Sequence, residues 1–327
     1  MVKRPKMDKA ATIFVADNNG LVGGAIQSEL KRAGYDHALP GPKDASDLTD
    51  EAAVNAYFSL HRPKYVFLVG GKTGGIQANQ TDPAGLMRDN LLVNCRVIES
   101  AHRHGVEKLL YLASSCVYPK FAAQPMKIEY LMTGQLEPTN APYAAAKIAG
   151  LYLCQAYRQQ FASRFISAIP ANVFGPGDDF SSENSHVIGA LIGKMHEAKT
   201  FGRPSVELWG SGAPRREFIF SHDLADACVF LMDHYEGGDP VNLGVGYDYS
   251  IRKIAETVRE VVGYSGALKF DSSKPDGMPA KLLDSNCLKE MGWRPRTPIR
   301  QALTMTYDWF LKHEAATGDK EHGREIL

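Results

Sequence analysis

Short, nearly continuous apolar runs alternate with longer amphipathic stretches through the first half of the chain, and few architectures accept that rhythm. Thr12–Ala16, Tyr65–Val69, Lys108–Ala113 and Phe165–Ile169 are apolar without the strict alternation of a half-exposed strand. Between them, Leu21–Ala33 carries Val22, Ala25, Ile26, Leu30 and Ala33 at helical spacing and stops at Gly34. Asp50–His61 reads as a helix closed near Pro63, and Leu86–His104 as a long helix. Pro142–Gln160 is a fourth, with its proline in the first turn, where the missing N–H costs nothing. Strands apolar on both faces, each followed by a helix, predict an α/β fold: a doubly wound parallel sheet covered on both sides.

After about Gly175 the rhythm changes. Gly and Pro become frequent, as in Gly175-Pro176-Gly177 and Gly210-Ser211-Gly212. Helices are expected at Val187–Thr200, Leu224–His234, Ile251–Val262 and Ile299–His313, and short strands at Val206–Leu208, Phe218–Phe220 and Val241–Leu243. The expected division is 1–175 for the large sheet and 176–327 for a smaller C-terminal α/β lobe, with elements free to cross between them.

Charge and cysteine content narrow the function. Lys+Arg and Asp+Glu are 37 each, so the formal net charge is zero. That removes the electrostatic excess used to bind nucleic acid or anionic membranes. No run approaches the roughly 18 apolar residues of a membrane span. The five cysteines (Cys95, Cys116, Cys154, Cys228, Cys287) are scattered and form no C-x-x-C pair, so neither a disulfide framework nor a metal site is expected. The basic start (Lys3, Arg4, Lys6, Lys9) precedes only a short apolar stretch, Ala10–Ala16, and is expected to be a polar tail of a cytoplasmic protein.

The turn after the first strand, Asp17-Asn18-Asn19-Gly20-Leu21-Val22-Gly23, matches G-x-x-G-x-x-G with Asp17 in place of the first glycine. Such a turn lets the backbone approach a pyrophosphate on a helix N-terminus. Asp tolerates positive φ, but its carboxylate repels a pyrophosphate unless directed away or protonated.

Tyr143 and Lys147 lie four residues apart, on one helix face. An ammonium there is expected to lower the phenol pKa from about 10, making Tyr143 an acid–base group for a carbonyl/alcohol couple. Upstream, Ser114 and Ser115 end a strand, where a hydroxyl can donate to a substrate carbonyl.

Strand, glycine turn and helix, then Ser114-Ser115, then Tyr143/Lys147, resemble the extended short-chain dehydrogenase/reductase superfamily. The finer pattern is similar to the GDP-L-fucose synthase family of 3,5-epimerase-4-reductases. It is carried by Lys72-Thr73-Gly74-Gly75-Ile76, Ser114 through Pro119, Leu136 through Asn140, Tyr143 through Ala149, Asn172 through Pro176 and Glu183 through Val187. In the second lobe Leu208 through Gly212, Arg216-Glu217-Phe218 and Ser273 through Gly277 continue it.

The resemblance implies a Rossmann-type sheet binding NADP, a GDP-sugar substrate and a homodimer built on the helices near residues 90–104 and 142–160. It implies that Tyr143 protonates the C4 oxygen, Lys147 binds the nicotinamide ribose, and Ser114 hydrogen-bonds the C4 oxygen. Cys116 would be the epimerisation base, its thiol lowered by a nearby cation, and His186 the acid. Cofactor contacts are implied for Asp17, Asn18, Asn19, Gly20, Leu21, Val22, Gly23, Leu112, Ala113, Ser114, Ser115, Lys147, Pro170, Asn172, Val173 and His186. Lys43 offers a cation for a 2′-phosphate. Lys194, Trp209, Arg216 and Asp276 are implied on the substrate side; Lys194 and Ala280 stand where members usually carry Arg. A relative limited to epimerisation or to reduction of another GDP-4-keto sugar is the alternative. A non-catalytic protein on this fold would have no use for Ser114, Cys116, Tyr143, Lys147 and His186 together.

Overall fold

The computed structural model describes residues 6–17, 20–41, 48–181, 185–274 and 276–321. Its centre is a six-stranded parallel sheet. The first five strands are β1 (Ile13–Ala16), β2 (Ala38–Pro40), β3 (Tyr65–Leu68), β4 (Lys108–Leu112) and β5 (Phe165–Pro170). The spatial order is β2-β1-β3-β4-β5, completed beyond β5 by Val241–Leu243, the tenth strand of the chain. Every residue of β1, β3, β4 and β5 is buried, the physical reason their sequences lack polar alternation.

Helices α1 (Leu21–Arg32), α2 (Glu51–His61), α3 (Ile76–Thr81), α4 (Pro83–Arg103) and α5 (Ala141–Phe161) connect these strands. Asp82 caps α4 by accepting from the Gly85 N–H at 3.0 Å, and Pro83 follows at the first helical position. α4 and α5 pack along each other, tied by Asn94 Nδ2 donating to the Ala146 carbonyl at 3.0 Å. α5 also lies very close to β4. A Cβ on Gly150 would meet the Tyr111 ring at 2.3 Å, while the Tyr111 hydroxyl donates to the Lys147 carbonyl at 3.2 Å.

The rest of the chain builds a second core around Phe174, Ile192, Met195, Phe218, Phe220, Ile254, Val258 and Leu303. It uses β6 (Asn172–Phe174), α6 (Val187–Thr200), β7 (Ser205–Trp209), β8 (Arg215–Arg216) and β9 (Phe218–Phe220). These are followed by α7 (Ser221–His234), β10 (Val241–Leu243), β11 (Tyr249–Ser250), α8 (Ile251–Val262), β12 (Ala267–Asp271), β13 (Ala280–Lys281), α9 (Asn286–Glu290) and α10 (Ile299–Glu321). The small sheets are β6-β9, β7-β12 and β11-β8-β13. α7 and β10 return to the main core: α7 packs on α1, and β10 extends the large sheet. The fully buried Lys108 anchors that return, its Nζ donating to the carbonyls of Met232 (2.8 Å) and Tyr235 (2.6 Å) and to Glu236 Oε1 (2.9 Å). An ammonium at a helix C-terminus meets the negative end of the helix dipole.

Candidate active site

The carboxyl ends of β1, β3, β4 and β5 open on one cavity of about 750 Å³. β2 lies on one side of β1 and β3 on the other, so the chain reverses direction across the sheet here, where open α/β sheets leave a ligand crevice. The walls include Asp17, Gly20, Leu21, Val22, Leu112, Ala113, Ser114, Ser115, Tyr143, Lys147, Pro170, Asn172, Val173 and His186. Residues distributed over 170 positions of sequence are thereby brought to one place. Asn18, Asn19 and Lys43 lie outside the described residues.

Asp17 does not face the pyrophosphate seat as a bare charge. Its Oδ2 accepts the Gly23 N–H at 2.8 Å, folding the carboxylate back onto the first turn of α1. Gly23 therefore acts through Asp17 rather than on the cavity wall. The N-cap of α1 is Gly20, which brings no side-chain hydrogen bond, and the first turn has no acidic residue. The loop after β6 closes over this turn: a Cβ on Gly177 would lie 3.5 Å from Leu21. A helix N-terminus with a slim glycine approach and its one carboxylate turned aside fits a dinucleotide diphosphate.

Ser114 ends β4 and caps a 3₁₀ turn over Ser115–Val117, its Oγ accepting the Cys116 N–H at 3.4 Å. Its hydroxyl pulls the pKa of both the Tyr143 phenol and the Cys116 thiol downward. Lys147 is buried, with Nζ 5.8 Å from the Tyr143 ring centre and 3.4 Å from the Leu112 carbonyl that accepts from it. The expected lowering of the phenol pKa does not occur. Burial pushes Tyr143 well up, with Cys116 adding to the rise and only the Ser114 hydrogen bond opposing it. The same burial brings Lys147 down to about 8, against the pull of Cys116 and Asp17. Desolvation is the largest cause at both groups. The Tyr143 phenol is thus held neutral.

Cys116 is buried behind Ser114, off the cavity wall. Its thiol is likewise raised, not lowered: burial dominates over Lys281, the Ser114 hydroxyl and Lys147, all of which pull it down. His186 stands at the N-cap of α6, on the cavity wall. Its imidazole is lowered by desolvation, which Asp179 opposes and Lys281 reinforces.

The implied substrate-side residues group elsewhere. Arg216 donates to the Met278 carbonyl at 2.6 Å, and both oxygens of Asp276 are engaged by Ser211, through its N–H (2.7 Å) and its hydroxyl (2.8 Å). Asp276 thus ties down the turn following Trp209, which is 63% exposed with Lys274 Nζ 5.6 Å from its ring. Lys194 lies on α6 two turns after His186, and 186, 190 and 194 share a helix face.

Three features escaped the sequence reading. The loop after β3 (Gly70 to Gly74) lines the cavity, held by Asn90 donating to the Lys72 carbonyl at 2.8 Å. Asp178 lines it too, its carboxyl pushed up to about 7 mainly by burial. Lys281 supplies the cation whose charge acts on both Cys116 and His186. The loop did carry local signals, the glycine pair Gly70-Gly71 directly after an apolar strand and the Lys72–Ile76 motif, but neither said that it would wall the cavity. Among the described residues no cluster of His, Cys, Asp and Glu could hold a metal ion, and no helix is long and apolar enough to cross a membrane.

The model of the NAD dependent epimerase/dehydratase family matches residues 13–244. GDP-L-fucose synthase 1 of Arabidopsis thaliana is 51% identical over 306 residues, spanning 94% of this chain and 95% of that protein. Among solved structures, a GDP-6-OMe-4-keto-L-xylo-heptose reductase from C. jejuni superposes with TM-score 0.88 at 31% identity, covering 94% of this chain and 99% of the other. A GDP-L-fucose synthetase from Naegleria fowleri bound to NADP gives 0.87 at 27% identity, covering 96% and 98%. The cavity at the sheet's carboxyl edge and these similarities over nearly the whole length agree: the chain belongs to the NAD dependent epimerase/dehydratase family and, within the extended short-chain dehydrogenase/reductases, to the GDP-L-fucose synthases.

Proposed function

We propose that the protein converts GDP-4-keto-6-deoxy-D-mannose to GDP-L-fucose, epimerising C3 and C5 and then reducing C4, with NADP as its cofactor. One observation carries the reading: Ser114, Tyr143, Lys147 and His186 line one cavity at the carboxyl ends of the strands, and the Ser114 Oγ accepts the Cys116 N–H at 3.4 Å. The proton donor for a ketone and a candidate base for its neighbouring carbons thus lie on either side of Ser114.

A 4-keto group acidifies the C–H bonds on both adjacent carbons. Cys116 removes one proton to give an enolate, and His186 returns a proton from the opposite face, once at C3 and once at C5. NADPH, when bound, supplies the hydride for C4. Tyr143, kept neutral by burial, gives its proton to the C4 oxygen that Ser114 holds, and the Lys147 ammonium stabilises the phenolate left behind. The first turn of α1, at Leu21 and Val22, would hold the diphosphate of the cofactor, and Lys147 its ribose.

Residues 1–175 would carry the cofactor and 176–327 the sugar nucleotide, with α7 and β10 crossing back. Trp209, Arg216, Lys194 and the turn held by Asp276 form the nucleotide side. α4 and α5 pack together and leave Tyr152 and Phe161 exposed, which supports a homodimer on that face. All five cysteines are free thiols, in keeping with a reducing cytoplasm.

The test is incubation of the purified protein with the keto sugar and NADPH or NADH in D₂O, with products read by NMR. The proposal expects NADPH oxidation, deuterium at C3 and C5, and GDP-L-fucose. A second reading, reduction without epimerisation, is favoured by the position of Cys116 off the cavity wall with a raised thiol pKa. It expects reduction with no deuterium at C3 or C5. Absence of both reactions would defeat each reading.

A further inference from the structure

Gly177, Asp178 and Asp179, between β6 and α6, line the cavity. Gly177 reaches the first turn of α1: its φ is +85°, and a Cβ there would lie 3.5 Å from both the nitrogen and the α-carbon of Leu21. The stretch 175–181 is Gly-Pro-Gly-Asp-Asp-Phe-Ser, in which Phe180 is the one aromatic side chain. Short-range bonds make it one unit. Asp178 N–H donates to the Gly175 carbonyl at 3.2 Å, and Ser181 N–H to Asp179 Oδ1 at 2.8 Å.

This loop is seated at both ends. At its start a Cβ on Gly175 would meet Ser221 Oγ, at the beginning of α7, at 2.2 Å. At its end two glycines of α6 admit the backbone. A Cβ on Gly189 would stand 2.2 Å from the Asp179 carbonyl oxygen, and one on Gly193 2.5 Å from that of Phe180. Four residues apart, the two glycines share a helix face and leave a slot along it. The Phe180 ring then packs on α10, with ring centres 4.9 Å from Phe310 and 6.1 Å from Trp309, the latter inclined by only 25°. Both partners belong to the second lobe, whereas Gly177 touches α1 of the first.

We propose that Phe180 is a positioning residue for the dinucleotide: seated over the Gly189/Gly193 slot and stacked on α10, it holds Gly177 against the first turn of α1, where the diphosphate is received. The proposal rests on the cofactor site described above and adds the second-lobe contact that fixes its wall. Phe180, Gly189, Gly193, Trp309 and Phe310 are all off the cavity wall, so whatever they contribute to cofactor affinity passes through the loop. Three residues separate Phe180 from Gly177, and a backbone carbonyl cannot yield to a new methyl without carrying its neighbours with it. A loop fixed in advance spares the cofactor the entropy of ordering it on binding.

The test measures binding of oxidised NADP to the full chain by calorimetry, without sugar nucleotide, while a denaturant melt verifies that each variant is folded. Gly193→Ala is the sharper variant: alanine is favoured over glycine inside a helix, so α6 is kept while the new Cβ pushes on the Phe180 carbonyl. Phe180→Ala and Gly193→Ala are each expected to raise Kd about tenfold or more, since about 1 Å of displacement in a supporting contact is enough to spoil a bound geometry. Phe180→Tyr, which keeps the ring on Trp309 and Phe310, is expected to bind as the parental protein does. In turnover, KM for NADPH should rise with kcat changed by less than about twofold, the mark of lost binding rather than lost chemistry. Gly189→Ala replaces Phe180→Ala if the latter does not fold. Folded Phe180→Ala and Gly193→Ala proteins that bind within about twofold of the parental chain would overturn the proposal. So would a loss in Phe180→Ala that neither glycine variant reproduces, or that Phe180→Tyr shares, because the loop position would then not be the cause. Binding needs no sugar nucleotide, so the outcome separates from failure of the proposed reaction; a parental chain that does not bind NADP would defeat the cofactor site and this proposal together.

Discussion

Asp17 Oδ2 lies 2.8 Å from the Gly23 nitrogen, in the volume a side chain at position 23 would occupy. The carboxylate that disturbs the glycine motif is disarmed by the third glycine of the same motif. Gly23→Ala, whose Cβ would come 2.3 Å from Oδ2, drives the charge toward the diphosphate. NADPH affinity should fall about tenfold or more, close to 1.4 kcal/mol. Asp17→Gly in the same chain should restore it. Fluorescence titration of both proteins checks this, and the absence of rescue would show that the loss came from elsewhere.

Tyr143→Phe keeps the ring and removes the proton. NADPH oxidation should drop by about 10²–10⁴, the usual worth of a positioned acid. Deuterium incorporation at C3 and C5 should persist, since Cys116 and His186 remain. Parallel loss of both reactions would mean that the phenol also serves the enolate stage.

Lys147 lies at about 8 in the folded protein against 10.5 when unperturbed. The unfolded chain therefore binds the extra proton between those values, and the buried ammonium weakens the fold below about pH 8. Lys147→Met should abolish reduction yet raise stability at pH 7 by up to about 3 kcal/mol. That gain should shrink as pH rises from about 8 toward 10.5. Urea melts of the cofactor-free protein at several pH values provide the measurement; a destabilised variant at pH 7 would contradict it.

Asp276 is occupied by Ser211 through both oxygens. If it acts by holding the turn behind Trp209, Asp276→Asn, which can still pair with Ser211, should leave KM for the GDP-sugar within about twofold, less than 0.5 kcal/mol. Asp276→Ala should raise KM about tenfold with little change in kcat. Equal damage from the two variants would instead indicate direct contact between the carboxylate and the nucleotide.

Lys108→Met leaves Glu236 and the last carbonyls of α7 without their buried cation. A loss of about 3–5 kcal/mol is expected from breaking one side of a buried pair. Denaturant midpoints report it. A near-neutral result would show that water or Arg164, which also holds Glu236, takes over the role.

Helix Ile251–Val262 and the strands Phe218–Phe220 and Val241–Leu243 occur where their periodicity put them. Their signals are local: a helical apolar stripe closed by Gly263, and short runs of buried residues bounded by polar or glycine positions. Ala38–Pro40 gave no such signal, being three residues long and ending in proline, and becomes a strand only because β1 lies beside it. Ala267–Asp271 alternates in exposure at the surface of the smaller lobe, paired only with β7. That Val241–Leu243 closes the large sheet is likewise invisible in its three letters, Val-Asn-Leu.

The amino-acid order alone carried the parallel architecture, the dinucleotide turn and the positions of Ser114, Tyr143 and Lys147, because strand burial and helix spacing are written in neighbouring residues. The direction in which Asp17 points, the burial that keeps Tyr143 neutral and the convergence of four strand ends on one cavity came from packing between segments far apart in the chain. Hydrogen bonds and desolvation depend on what surrounds a group in space, and chemically identical side chains take opposite shifts in different surroundings.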